Sequence, residues 1–182
     1  MESAMVRTIG IIGAGPAGLV AATAASQSGL NVTVFERADG HRRVGGGIAI
    51  QNNGLRVLSA IGVLDGLRPR VYEIRNVLVE STEGKRLFGF DLSRSRAPFP
   101  WMAVLLRSDL QAHLASAAEG AGAKVLFDQA AVGVSVGTRE ASIRLASGVE
   151  HGFDVVIGAD GIHSIVRDSL GLPSRMRSAE RA

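Results

Sequence analysis

One stretch near the start constrains the fold more than any other: "IGIIGAGPAGL", Ile9 to Leu19. A largely β-branched run, Val6 to Ile12, leads straight into Gly13-x-Gly15-x-x-Gly18. A continuous run of this kind predicts a strand buried on both faces, as parallel sheets require. Ala17 to Ser28 is rich in small residues and predicts a helix, closed by Gly29. "NVTVF", Asn31 to Phe35, alternates and predicts a second strand. Strand, glycine turn, helix and strand within about 30 residues make a right-handed β-α-β crossover and place the chain in the α/β class.

Each glycine has a physical task in such a turn. Gly13 permits the tight turn, Gly15 lets backbone N–H groups approach a pyrophosphate, and Gly18 lets helix and strand pack closely. Pro16 and Ala17 open the helix, whose N-terminus offers unpaired donors and a positive dipole end to an anion. The second strand ends in Glu36, eighteen positions after Gly18. A carboxylate there can accept both ribose hydroxyls of an adenosine and would repel a 2′-phosphate. Arg37 follows, and an Arg can bind such a phosphate, so the choice of dinucleotide stays open at this point.

Composition narrows the classes. The chain has 182 residues, 46% of them hydrophobic, enough for one domain or one domain with an excursion. There is no cysteine, which excludes disulfides, thiolate catalysis and cysteine-ligated metals and makes a reducing cytoplasm the default. His41, His113, His151 and His163 show no metal-ligand spacing and read as isolated or structural, so no metal site is expected. The formal net charge is +3 with no basic run among aromatics, which argues against a nucleic-acid face. The apolar stretch Ile9–Ala25 is broken by glycines and a proline, and is short for a membrane span or a signal segment.

Further along, Leu55–Ile61 predicts a helix and Ser108–Glu119 another, with Ser108 as N-cap. "YEIRNVLVEST" and "KRLFGFDL" predict two strands joined at Glu83-Gly84, alternating as an antiparallel sheet with an open face does. Ser93–Pro100 reads as a loop and Lys124–Phe127 as a short strand. Val132–Val136 and Ala141–Leu145 form a predicted hairpin, Val155–Ile157 a buried strand and Ser164–Leu170 a short helix.

A second glycine turn lies in "DVVIGADGIHSIVR", Asp154 to Arg167. There Gly161 allows close backbone approach, Ser164 can cap the short helix, and Arg167 can fix Asp160 or the loop. Together with "VFERADGHRRVGGGIAIQNNGLRVLSAIGV" and "LLRSDLQAHL", this stretch resembles the single-component FAD-dependent aromatic hydroxylases of the p-hydroxybenzoate and salicylate hydroxylase type. The resemblance runs from about Arg7 to Leu172 and rests on the order of the three pieces.

The resemblance implies a Rossmann-like FAD-binding domain with a glutathione-reductase-like parallel sheet and part of an antiparallel substrate-domain sheet inserted. Residues 1–70 and 103–172 would form the FAD-binding domain, 71–102 the substrate-domain excursion, and 173–182 a polar, disordered tail. In the family, Asp160, Gly161, Ser164 and Arg167 match a second fingerprint that holds FAD near its pyrophosphate and serves the NAD(P)H reaction. Arg42, with Arg43 beside it, falls where the family places an Arg that reaches FAD, and Arg107 where one touches the phosphate–ribose region. The implied cofactors are FAD, with NADH or NADPH as reductant. The implied activity is hydroxylation of a small aromatic or similar electron-rich substrate through a flavin C4a-hydroperoxide. No catalytic side chain is named, because the flavin carries the oxygen chemistry. The family's third fingerprint, Gly-Asp followed by Ala, Ala and His, is missing, so the chain is expected to lack a C-terminal half and not to act alone. A non-catalytic dinucleotide-binding fragment, defunct or completed by a partner chain, is the alternative. An NAD-only module requires the Asp-Gly motif to be coincidence.

Overall fold

The computed structural model describes residues 6–40 and 46–173. In chain order they form β1 (Thr8–Ile12), α1 (Pro16–Gln27), β2 (Asn31–Phe35), β3 (Gly47–Ile50), α2 (Asn52–Ala60), α3 (Leu64–Leu67), β4 (Tyr72–Ile74), β5 (Asn76–Glu80) and β6 (Arg86–Asp91). There follow β7 (Met102–Leu106), α4 (Arg107–Gly120), β8 (Lys124–Leu126), β9 (Ala131–Val136), β10 (Ala141–Leu145), β11 (Glu150–Phe153), β12 (Val155–Gly158) and α5 (Ile165–Ser169). The chain divides into two compact units, one of residues 1–40 with 121–182 and one of residues 41–120. The excursion expected over 71–102 lies inside the second unit, and most of the polar tail expected over 173–182 lies outside the described residues.

The first unit is built on a parallel sheet in the order β12-β1-β2-β8. The crossover predicted from the glycine turn is present: β1 and β2 pair in parallel from Thr8↔Asn31 to Ile12↔Phe35. α1 lies against both strands and buries Leu19 and Ala22. It ends as its sequence demands. Gly29 takes a positive φ of 82° and its N–H donates to Ser26 O, while Leu30 N–H donates to Ala25 O. The hairpin predicted at 132–145 is also present and gains a third strand, giving the antiparallel order β11-β10-β9.

This small sheet covers one face of the parallel sheet. A Cβ on Gly10 would lie 2.5 Å from the Phe153 ring and 2.7 Å from Ile143, so β1 carries no side chain where the layers meet. Ile12, Phe35, Ile143 and Leu145 are buried between them, with Val134, Phe153 and Val156 packed around. β12 was expected to be buried; it is half-buried, because it is the edge strand of the described sheet.

The second unit holds an antiparallel sheet, β3-β7-β4, and the two-stranded hairpin β5-β6. Two expectations are corrected here. Tyr72–Thr82 is not one strand: it breaks at Arg75, β4 pairing with β7 and β5 with β6. The apolar positions shift phase there, from Tyr72 and Ile74 to Val77 and Val79 across the polar pair Arg75-Asn76, but that shift does not name the new partner. Ser108 is not the N-cap of α4, because the helix follows β7 directly and starts at Arg107, whose N–H donates to Gly46 O.

Candidate functional site

The two glycine turns of the sequence meet in the first unit. At the end of β1, Gly13 takes φ 101°, a conformation that side chains rarely adopt. Its N–H donates to Phe35 O at 2.8 Å. A Cβ there would lie 2.5 Å from the carbonyl oxygen of Ala159, the residue that follows β12. Ala159 N–H in turn donates to Ile12 O at 2.8 Å. The first turn therefore closes on the backbone of the second.

Gly15 is the N-cap of α1, and no side chain caps the helix. Pro16 fills its first turn, where a missing N–H costs nothing. A Cβ on Gly15 would meet no atom within 4 Å, so this glycine faces open space. A Cβ on Gly18 would strike the carbonyl oxygen of Gly13, so Gly18 lets the helix start close beneath the turn. Ala17 is exposed beside them. The first-turn N–H groups of a twelve-residue helix and its positive end thus lie beside open space.

Glu36 is more engaged than its spacing revealed. Its Oε2 accepts Ala14 N–H at 2.8 Å and its Oε1 accepts Ala38 N–H at 2.9 Å. Each oxygen keeps further acceptor capacity. Arg37, next in sequence, is exposed.

The second turn is held by its own side chains. Asp160 Oδ2 accepts Val166 N–H at 3.2 Å. Ser164 caps α5 as expected, its Oγ accepting Arg167 N–H at 3.1 Å. Of the two partners open to Arg167, the structure selects the loop: Nη2 donates to Ile162 O at 3.0 Å, and Nε lies 3.7 Å from Asp168 Oδ1. Gly161, at φ 81°, faces open space.

Gly13, Gly15, Glu36, Arg37, Asp160 and Gly161 line one cleft of about 250 Å³. Complete small-molecule pockets run to about 300–1,000 Å³, so this cleft has the size of one end of a larger site. Its polar rim is Glu36, Arg37, Asp160 and His163; Ile12, Phe35, Ala131 and Ile165 supply an apolar wall. The sequence reading missed that wall and His163, which it took as isolated. Residues such as Ala131 reach the cleft from β9 and carry no local signal. Arg107 belongs to the second unit, exposed at the start of α4. Arg42 lies outside the described residues. No group of three His, Asp or Glu side chains is placed to hold a metal among the described residues. Open space at Gly15, free helix donors and a carboxylate at the next strand end fit a phosphate-bearing dinucleotide with a ribose.

Residues 5–181 match the family described as "FAD binding domain". The chain is 34% identical over 165 residues to 2-heptyl-3-hydroxy-4(1H)-quinolone synthase of Mycobacteroides abscessus, covering 91% of this chain and 43% of that protein. It is 32% identical to 3-amino-4-hydroxybenzoate 2-monooxygenase of Streptomyces cremeus, covering 89% of this chain and 41% of that one. The tetrameric form of 2-methyl-3-hydroxypyridine-5-carboxylic acid oxygenase superposes with a TM-score of 0.80 at 31% identity, over 91% of this chain and 42% of the other. p-Nitrophenol 4-monooxygenase of Pseudomonas putida, at 18% identity and a TM-score of 0.84, shares the fold over 91% of this chain and 44% of its own. The chain spans less than half the length of these relatives.

Proposed function

The chain belongs to the family of FAD-binding domains of flavoprotein monooxygenases, and from that premise we propose that its cleft holds FAD and that it serves an NAD(P)H-dependent hydroxylation of a small aromatic or similarly electron-rich compound. The observation that carries this reading is the open space at Gly15, at the uncapped N-terminus of α1 and beside the Glu36 carboxylate. The N–H groups of Ala17 and Gly18 would take the pyrophosphate, Pro16 holding the helix start in shape. Glu36 would accept from the ribose, with Arg37 at the rim. Asp160 and Gly161 would close the other wall of the site. Arg42 and Arg107 enter on the family resemblance alone, as guanidinium partners of the cofactor.

Bound FAD supplies the redox and oxygen-transfer chemistry. The chain's own residues bind and orient it. The relatives' names point to nitrogen heterocycles and aminohydroxybenzoate, and an electron-rich ring is the substrate class we assign. We place the protein in the cytoplasm, where reduced nicotinamide is at hand; no helix among the described residues is long and apolar enough to cross a membrane.

The test is the visible spectrum of the purified 182-residue chain after incubation with FAD and desalting. Retained flavin absorption approaching one per chain is expected, with NAD washed off under the same treatment. A colourless protein overturns the assignment.

A further inference from the structure

Glu36 makes more hydrogen bonds than a ligand contact needs. Its two carboxylate oxygens accept the N–H groups of Ala14, inside the glycine turn, and of Ala38, two residues past β2. Its own N–H donates to Leu126 O at 2.9 Å, and its carbonyl accepts Gln129 N–H at 2.8 Å. One residue thus ties together the glycine turn, the end of β2, the segment after it and the β8–β9 connection. All four bonds are made by the protein itself. A carboxylate beside a turn that receives phosphates also opposes the bound anion, since like charges repel.

We propose that Glu36 is a positioning residue, whose carboxylate holds the glycine turn and the 36–38 segment in their binding shape before any ligand arrives. The inference rests on the reading of the cleft as a dinucleotide site, and assigns to Glu36 a task there besides meeting a ribose. The chemistry of the side chain makes it separable. A carboxylate accepts at both oxygens, whereas a glutamine amide accepts at one and donates at the other. Glu36→Gln, almost unchanged in shape, must therefore turn a donor towards Ala14 N–H or Ala38 N–H and lose one of the two bonds.

The experiment has two readouts on the 182-residue chain, wild type and Glu36→Gln. The first is amide hydrogen exchange without FAD. Exchange at Ala14 or Ala38 is expected to speed up about tenfold or more, as fits loss of a hydrogen bond to a charged acceptor. The second is affinity for 2′,3′-dideoxyadenosine 5′-diphosphate, which has no ribose hydroxyls for Glu36 to meet. If Glu36 shapes the turn, the variant binds this probe more weakly. If it only contacts ribose, loss of a negative charge leaves binding equal or tighter, and unchanged exchange with that result overturns the inference. Weaker FAD binding with unchanged exchange also overturns it, while the FAD assignment stands. Faster exchange in a chain whose wild type retains no FAD upholds the positioning role and sinks the FAD assignment instead. Should Glu36→Gln fail to fold, the wild type decides alone: unprotected Ala14 and Ala38 amides in the FAD-free protein overturn the inference.

Discussion

Gly13 and Gly15 sit two positions apart in one motif, yet they lack side chains for opposite reasons. At Gly13 the backbone has φ 101° and a Cβ would press on the Ala159 carbonyl. Gly13→Ala is expected to cost about 2 kcal/mol or more, combining a left-handed alanine with a backbone clash. At Gly15, φ is −70° and the space is open. Gly15→Ala is expected to fold with a loss of under about 1 kcal/mol, the small disadvantage of alanine at an N-cap, and to lose FAD, because its methyl group stands where the ligand must approach. Thermal melts and FAD titrations of the two variants separate these roles. Equal melting losses would contradict the assignment. The motif's spacing made both glycines legible. Which guards the fold and which the ligand depends on Ala159, far along the chain.

The elements of the first unit are joined at their ends as well as their faces. Where β1 and β12 begin, Asp154 Oδ2 accepts the N–H groups of Arg7 and Thr8, both at 2.8 Å, and the Thr8 hydroxyl at 2.9 Å. Asp154 N–H returns a bond to Thr8 Oγ1. These donors, the Arg7 and Thr8 N–H groups foremost, hold the Asp154 carboxyl below the ordinary aspartate range. A carboxyl depressed in the folded state stabilises the fold above its unfolded pKa, and that contribution is lost as pH falls through the folded value. Asp154→Ala should therefore lower Tm at neutral pH, and the gap from wild type should narrow in acid below the ordinary aspartate range. A gap constant across that window would remove the carboxylate from the account. The β-α-β unit was legible because period, glycine turn and cap all act within a few residues of one another. The partner of Tyr72–Ile74 was not, because it is β7, some thirty residues on.

At the scale of the whole molecule, the most conspicuous surface is apolar. On the β5–β6 hairpin, Phe88 and Phe90 are 57% and 50% exposed, with Leu78 and Leu87 similarly bare. Phe88 stands opposite Val79, and Phe90 opposite Val77. Exposed apolar side chains on a strand with an open edge invite association. Phe88→Ser with Phe90→Ser is expected to cut hydrophobic-dye binding and self-association. The stability cost should stay near about 1 kcal/mol per site, the scale of a cross-strand pair. Unchanged dye binding would locate the sticky surface elsewhere.

The sequence by itself determined what local chemistry can specify. Alternation and β-branched runs set β1, β2, β9 and β10, small residues and Gly29 set α1, and the spacing of Gly13, Gly15, Gly18 and Glu36 pointed to a dinucleotide. It also placed Ser164 at the cap of α5, since a cap is read within four residues. Tertiary structure decided everything that needs a partner distant in the chain. It set Gly10 against Phe153, Gly13 against Ala159, and the Glu36 carboxylate on Ala14. The reason is that a strand's period names the face it buries but never the neighbour it meets there. That neighbour emerges only when layers pack and every buried N–H must find an acceptor.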